Sequence, residues 1–330
     1  MKFGIIPIED PHHYQESLQQ VELAEKLGFH SVWLEEHHGA GGHYHPSPLL
    51  FLAGYATRTE HIILGTDIVI LPLYHPVRLA EDVAELDIMS KGRVILGVAL
   101  GYRSTEFAAF QIPMEKRGAQ FVEMIRLIKR LWSEDEVTYE SERYRLDHFS
   151  LEPKPIQKPH PPIWIGGWGE LAIKRAAQLA DAWVPGPTAD LTKLKEAQSR
   201  YHAQLAERGV DPLSRPRPLT RDIVIAATAE AAEDYAQRYL LVAYRDEYIG
   251  WGHPLIGSSD SKSADLLNEL RRERFIIGDP PSVINQISFF NEKFGMDHLI
   301  FRMHFPGMPP KIVTESIELI GREVIPAFKE

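Results

Sequence analysis

Cysteine is absent from this 330-residue chain. That excludes a disulfide framework, thiolate metal sites and a cysteine nucleophile, and it agrees with a reducing compartment. Basic residues are outnumbered, with 36 Lys and Arg against 46 Asp and Glu and a formal charge of −10. A nucleic-acid partner, which needs clustered cations to neutralise phosphates, is therefore not expected. Long apolar runs are also lacking. No stretch approaches the ~20 residues of a membrane span, and Met1–Asp10 holds too short an apolar run for a secretory h-region. The expectation is a cytoplasmic protein without a membrane partner. No Gly-x-Gly-x-x-Gly follows the first strand-like run, which disfavours a nicotinamide-binding Rossmann unit.

What is present is a core and a rhythm. Hydrophobic residues make up 44% of the chain and charged residues 25%, enough apolar surface to fold without a metal or disulfide staple. Short apolar runs alternate with amphipathic stretches. Lys2–Ile8 reads as a strand, and Leu18, Val21, Ala24 and Leu27 then fall at helical spacing before a capping Gly28. Ser31–Glu35, Ile62–Leu71 and Arg93–Leu100 continue the strands, with helices over Pro48–Thr57, Pro76–Met89 and Arg117–Trp132 between and after them. Val137–Leu146 alternates like a small hairpin. Pro153–Pro162 holds five prolines and must be extended connector. Strands resume at Pro162–Gly166, Ala182–Val184, Asp222–Ala227 and Asp297–Arg302, with helices over Glu170–Ala180, Leu191–Arg208 and Val313–Phe328. Eight strands alternating with helices predict an α/β fold, a (β/α)8 TIM barrel forming one domain over 1–330; a doubly wound open sheet is the structural runner-up. Residues 230–275 are too many for an ordinary loop and are expected to form an insertion between strands seven and eight, a lid over the barrel mouth.

Barrel chemistry sits where the strands end. Strand two exits through Glu36, His37 and His38, then a glycine-rich turn, His43 and His45, so four histidines fall within nine residues. Imidazoles at His43-x-His45 spacing raise the possibility of a metal-dependent barrel hydrolase built on the His37–His45 cluster. Such a site needs ligands from other strand ends. Ala99-Leu100-Gly101, Gly166-Gly167 and Val184-Pro185 offer none, and only His304 remains, so no metal ligand is assigned.

A second chemistry rests on likeness. Glu36-His37-His38, the run Leu64–Pro72, His75-Pro76-Val77-Arg78 and Met89-Ser90-Lys91-Gly92-Arg93 resemble successive blocks of bacterial luciferase and limonene-type monooxygenases, without a gap between Glu36 and Gly101. Pro162–Gly167 and Val324–Phe328 extend the resemblance over nearly the whole chain. What it implies is a flavin-dependent monooxygenase that uses reduced FMN and O2 on a small organic substrate. The reduced flavin would come from a separate NAD(P)H-dependent reductase. Coenzyme F420, used by related enzymes, is the alternative cofactor, and a homodimer is the implied assembly. By the same resemblance His37 is the catalytic residue, and Glu36, Thr66, Asp67, Ala99, Leu100, Gly101, Gly166, Gly167, Trp168 and Gly169 contact the cofactor. A non-prolyl cis peptide is expected at Asp67–Ile68, and Gly166–Glu170, running into a helix, at the phosphate. Two positions depart from the family: Asp67 stands where small residues are common, and Leu100 where luciferase has an arginine. Alternation along the strand aims His38 away from His37's side.

Overall fold

The computed structural model describes residues 1–41, 44–256, 259–263, 265–271 and 273–329. Strands β1 (Lys2–Ile6), β2 (Ser31–Leu34), β3 (Ile63–Thr66) and its continuation β4 (Val69–Ile70), β5 (Val94–Ala99), the outlying hairpin β6 (Val137–Glu140) and β7 (Arg145–Phe149), β8 (Ile163–Gly166), β9 (Ala182–Val184), β10 (Pro218–Ile225), β11 (Ile276–Gly278) and β12 (His298–Arg302) follow in order. Apart from the hairpin, all pair in parallel, in the order β10, β12, β1, β2, β3, β5, β8, β9. The Thr220 N–H donates to the Pro185 carbonyl at 3.2 Å and closes β10 onto β9. The result is the eight-stave barrel that the alternation predicts.

Its interior is filled by pairing large residues with small ones. Trp33 and Trp164 stack at 4.8 Å among Ile6, Ala182, Val184 and Ile300. Room for the Trp33 ring comes from Gly65, where a Cβ would lie 2.2 Å from it. The buried indole N–H is satisfied by Ser31 Oγ at 2.7 Å, which in turn meets His298 Nε2 at 2.7 Å.

Outside lie α1 (Tyr14–Leu27), α2 (Pro48–Ala56), α3 (Pro76–Met89), the short α4 (Ser104–Ala109), α5 (Arg117–Ser133), α6 (Glu170–Leu179), α7 (Leu191–Ala206), α8 (Ala229–Tyr235), α9 (Leu266–Arg271), α10 (Pro280–Phe294) and α11 (Pro310–Leu319). The Met89–Arg93 block and nearby Asp87 prove to be ties at the far end of the barrel. Arg93 donates to the carbonyls of Ala56, Thr59, Ile62 and Ser90, and Asp87 accepts from the backbone of Ile156 and Gln157 to seat the proline-rich connector.

The region between staves seven and eight differs from the sequence reading. Stave seven starts at Pro218 rather than Asp222, and a ninth strand, β11, pairs with its upper end at Ile223–Ile225. Helix α10 follows β11, so a further strand–helix unit stands between the 230–275 segment and stave eight. The first part of that segment runs on from α8 as wider π-type turns over Ala236–Leu240 and Ala243–Ile249 and delivers Tyr248 and His253 to the barrel mouth. Within the 230–275 segment, residues 257, 258, 264 and 272 lie outside the described residues. Among the described residues no helix is long and apolar enough to cross a membrane.

Candidate functional site

The carboxyl ends of the staves surround a cleft with two joined lobes. An inner lobe of about 180 Å³ is bounded by the exits of β2, β3, β5, β8 and β9, and by Tyr248 and His253. An outer lobe of about 650 Å³ shares Ala99, Gly101, Tyr102, Gly166, Gly167, Trp168 and His253 with it and runs out between α5 and α6.

At the exit of β2 the chain alternates, and the two adjacent histidines part. His37 lines the inner lobe, and its Nδ1 meets Glu106 Oε1 at 2.9 Å. Glu106, on α4, is 1% exposed and also accepts from the His38 N–H and Arg103 Nη1, each at 3.0 Å. Burial works against its charge, but the bond and charge of His37, with His38 and Arg103, outweigh that and hold it below the ordinary glutamate value. A carboxylate on Nδ1 fixes the ring's tautomer and leaves Nε2 for the cleft. Tyr44 and Trp251 pack on the ring at 4.9 and 5.2 Å. His38 turns the other way, to Glu36 Oε1 at 2.9 Å and the Phe110 ring.

Glu36 lines the lobe, yet both its oxygens are engaged. Oε1 also accepts from Tyr74, and Oε2 takes the Ile70 N–H at 2.5 Å, which pins β4. Thr66 does not line either lobe: its hydroxyl exchanges hydrogen bonds with Gly97 across β3 and β5, at 2.7 and 2.9 Å. The polar atoms of both side chains are thus engaged within the wall. The wall has no slack, since a Cβ on Gly97 would lie 1.8 Å from the Thr66 carbonyl.

Asp67–Ile68 is cis, at the position expected. The Asp67 carboxyl faces the lobe and accepts from Thr220 Oγ1 at 2.5 Å. Burial, opposed by that bond and aided by Glu35, pushes it up to about 7. Beneath it lies a buried charge set. Arg302 donates to Asp222 Oδ1 and to Tyr248, both at 2.5 Å, and stands 3.7 Å from Glu35. Burial works against the charge of Arg302, but Asp222, Tyr248 and Glu35 outweigh it and raise its value well above the ordinary one. Glu9 is driven the opposite way, well above the carboxylate range, by burial and by the charge of Glu35 beside it.

The outer lobe is built for an anion. Gly166-Gly167-Trp168-Gly169 leads from β8 into α6, whose first N–H groups have no helical acceptor and whose dipole is positive there. Gly167 has φ +133°, and a Cβ on it would meet Ala172 at 2.7 Å. The Gly167 carbonyl is held by Trp183 Nε1 at 2.9 Å, and Trp168 packs edge-on against the Trp183 ring. Leu100 lines this lobe where the family has an arginine. Two arginines that the sequence reading missed line it instead: Arg117 at the start of α5, and Arg175 on α6. Burial and the like charge of Arg117 both lower the Arg175 value, and no carboxylate among the described residues pairs with either. Two guanidiniums sharing one lobe, neither in a salt bridge among the described residues, fit a phosphate.

The remaining histidines do not gather. His45 is fully buried against Phe51 at 4.0 Å with neither ring nitrogen on a protein partner, His304 accepts from the Glu9 N–H, and His43 lies outside the described residues. Among the described residues no three His, Asp or Glu side chains are placed to hold a metal. Burial drops His45 to about 4. A folded-state value below the free one means that stability is lost as pH falls from about 6.5 towards 4, because the unfolded chain takes up the proton first. His45→Leu should remove that loss, adding on the order of 2 kcal/mol at pH 5 and less at pH 8. Thermal melts at the two pH values check this; equal shifts at both would refute it.

Comparison with known proteins agrees with this geometry. The oxygenase component of a flavin-dependent trigonelline monooxygenase from Acinetobacter baylyi is 28% identical, over 96% of this chain and 90% of its own. An F420-dependent glucose-6-phosphate dehydrogenase from Microbacterium testaceum is 29% identical, over 100% of this chain and 98% of that one. The crystal structure of monooxygenase RslO1 from Streptomyces bottropensis superposes with a TM-score of 0.85 at 26% identity, covering 100% of both chains. The family model for luciferase-like monooxygenase matches residues 1–298. Barrel, cleft and sequence thus converge, and the chain belongs to the luciferase-like monooxygenase family.

Proposed function

We propose that this protein is the oxygenase component of a two-component monooxygenase, acting on paired donors with reduced FMN and O2. A separate NAD(P)H-dependent reductase in the cytoplasm supplies the reduced flavin. The observation that carries the reading is the joined cleft: an inner lobe lined by His37 opens into an outer lobe with two arginines in no salt bridge among the described residues. Backbone at Asp67–Ile68, Ala99 and Gly101 gives the ring a wall, and Gly166–Gly169 with Arg117 and Arg175 seats the phosphate. Reduced flavin supplies activation of O2 when bound. The chain's residues exclude water and manage protons: His37, its Nδ1 locked on Glu106, can give or take a proton at Nε2. Residues 1–330 act as one domain, and the 230–275 segment covers the cleft through Tyr248, Trp251 and His253.

F420 is the second reading, favoured by the dehydrogenase relative. Its acidic tail needs more cations than a phosphate does, and the outer lobe adds Glu115 and Glu170 to its two arginines, which favours FMN. Calorimetry with FMN and F420 in both redox states tests the proposal, and absence of binding to either overturns it. The absorbance of the loaded protein separates the two, with bands at ~450 nm for flavin and ~420 nm for the deazaflavin.

A homodimer is part of the proposal. Leu50 on α2 is 71% exposed, and Ile88 and Met89 on α3 are 40% and 46% exposed, an apolar set suited to burial between copies. Light scattering should give twice the monomer mass; a concentration-independent monomer would refute it.

A further inference from the structure

The inner lobe has lopsided chemistry. Four carboxyl side chains line it, Glu35, Glu36, Asp67 and Glu106, and no lysine or arginine does. Glu36 and Glu106 spend their charge on His38, Tyr74, His37 and Arg103. Glu35 is different: it is 9% exposed, and its Oε2 accepts no hydrogen bond from the protein. Its nearest cation, Arg302 at 3.7 Å, is already matched by Asp222 at 2.5 Å. Arg103 is likewise matched by Glu106 at 3.0 Å. One buried carboxylate is therefore left over at the floor, with Asp67 beside it. The walls above are aromatic and contiguous. Tyr102 meets the His253 ring at 5.1 Å and Tyr248 meets it at 5.5 Å. His253 is held to about 4 by burial, then by the charges of His37 and Arg302, so at neutral pH it adds a face and no charge.

Surplus negative charge inside a ring of aromatic faces is how proteins recognise organic cations, through charge from below and ring quadrupoles from the sides. Resting on the monooxygenase reading, which lays the flavin ring along the Asp67–Ile68, Ala99 and Gly101 wall, we infer that the Glu35 side of the inner lobe selects a small substrate carrying a cationic nitrogen, with Glu35 as its counter-charge and Tyr102, Tyr248 and His253 as its walls. Aliphatic aldehydes and terpenes, which offer no charge, would leave Glu35 buried and unmatched.

N-methylpyridinium and toluene, a cation and its neutral isostere, are the probes. Each is titrated by calorimetry into the FMN-loaded protein and into the apo-protein. N-methylpyridinium should bind at least about tenfold more tightly than toluene. Glu35→Gln should remove about tenfold of the cation's affinity while leaving toluene and FMN within about twofold. Toluene binding as well as the cation overturns the inference, as does an unchanged cation affinity in Glu35→Gln. If Glu35→Gln weakens FMN and spares the cation, Glu35 belongs to the cofactor ring and the inference fails. Loss of FMN binding by the wild type would instead strike the monooxygenase reading, and the apo-protein titration would still report on the lobe.

Discussion

Replacing Arg117 and Arg175 together by alanine should weaken FMN binding by about 10²–10³-fold while leaving riboflavin binding within about twofold. A charge-assisted hydrogen bond to phosphate is worth about 1.5–3 kcal/mol, and the two guanidiniums line one lobe at the start of α6. Riboflavin has the same ring and no phosphate, so it serves as the internal control. Nothing else should suffer. Neither arginine pairs with a carboxylate among the described residues, and the like charge of Arg117 already lowers the Arg175 value. Removing the pair relieves that repulsion, so the apo-protein should melt no lower than wild type. The singles Arg117→Ala and Arg175→Ala should each lose a smaller part. Calorimetry on the four proteins decides. A double variant that loses riboflavin and FMN equally would move the arginines from the phosphate to the ring, and one that loses neither would empty the outer lobe of its role.

The barrel is legible in the sequence because each stave carries a local signal. Val94–Ala99 is a buried apolar run, and Arg117–Ser133 keeps helical spacing over its whole length, so neither needs knowledge of its neighbours. Where tertiary pairing replaces local pattern, the reading fails. Pro218–Asp222 looks too broken for a strand, with Arg221 in its middle, yet the Arg221 guanidinium is buried over the Phe290 ring at 5.1 Å and the segment completes the barrel. Ile276–Gly278 is three residues long, and it is a strand only because Ile223–Ile225 extends beyond β12 to pair with it. The site divides along the same line. His37 and the glycines of Gly166–Gly169 stand in motifs and can be placed by them. Glu106, Arg117 and Arg175 cannot. Glu106 sits on a helix of six residues and finds His37 across 69 positions, and the two arginines meet only because α5 and α6 pack side by side. Motifs also leave a residue's partners unseen. Glu36 and Thr66 belong to blocks shared with flavin enzymes, and here their polar atoms hold Ile70 and Gly97 in the cleft wall.

His37→Ala should cut productive oxygenation by roughly 10²–10⁴-fold, the range for losing a positioned acid–base group. His37 lines the inner lobe, its Nδ1 is committed to Glu106 at 2.9 Å, and Tyr44 and Trp251 hold the ring. Nε2 is thus presented where substrate and flavin would meet. Alanine leaves the barrel intact, because the ring lies at the mouth and outside the Trp33–Trp164 layer. FMN affinity should therefore change by less than about tenfold, since the phosphate seat is untouched. Without a group to deliver the proton, activated oxygen decays before reaching substrate, so hydrogen peroxide released per flavin oxidised should rise. Glu106→Gln keeps an acceptor on Nδ1 but not its charge, and should fall between wild type and His37→Ala. His38→Ala is the control: its ring leaves the lobe for Glu36 and Phe110, so coupling should stay within about threefold of wild type. Single-turnover measurements of product and peroxide on the four proteins separate the cases. If His38→Ala loses coupling while His37→Ala keeps it, the strand exit is turned by one residue from the geometry described; if both keep it, the proton does not pass through a histidine here.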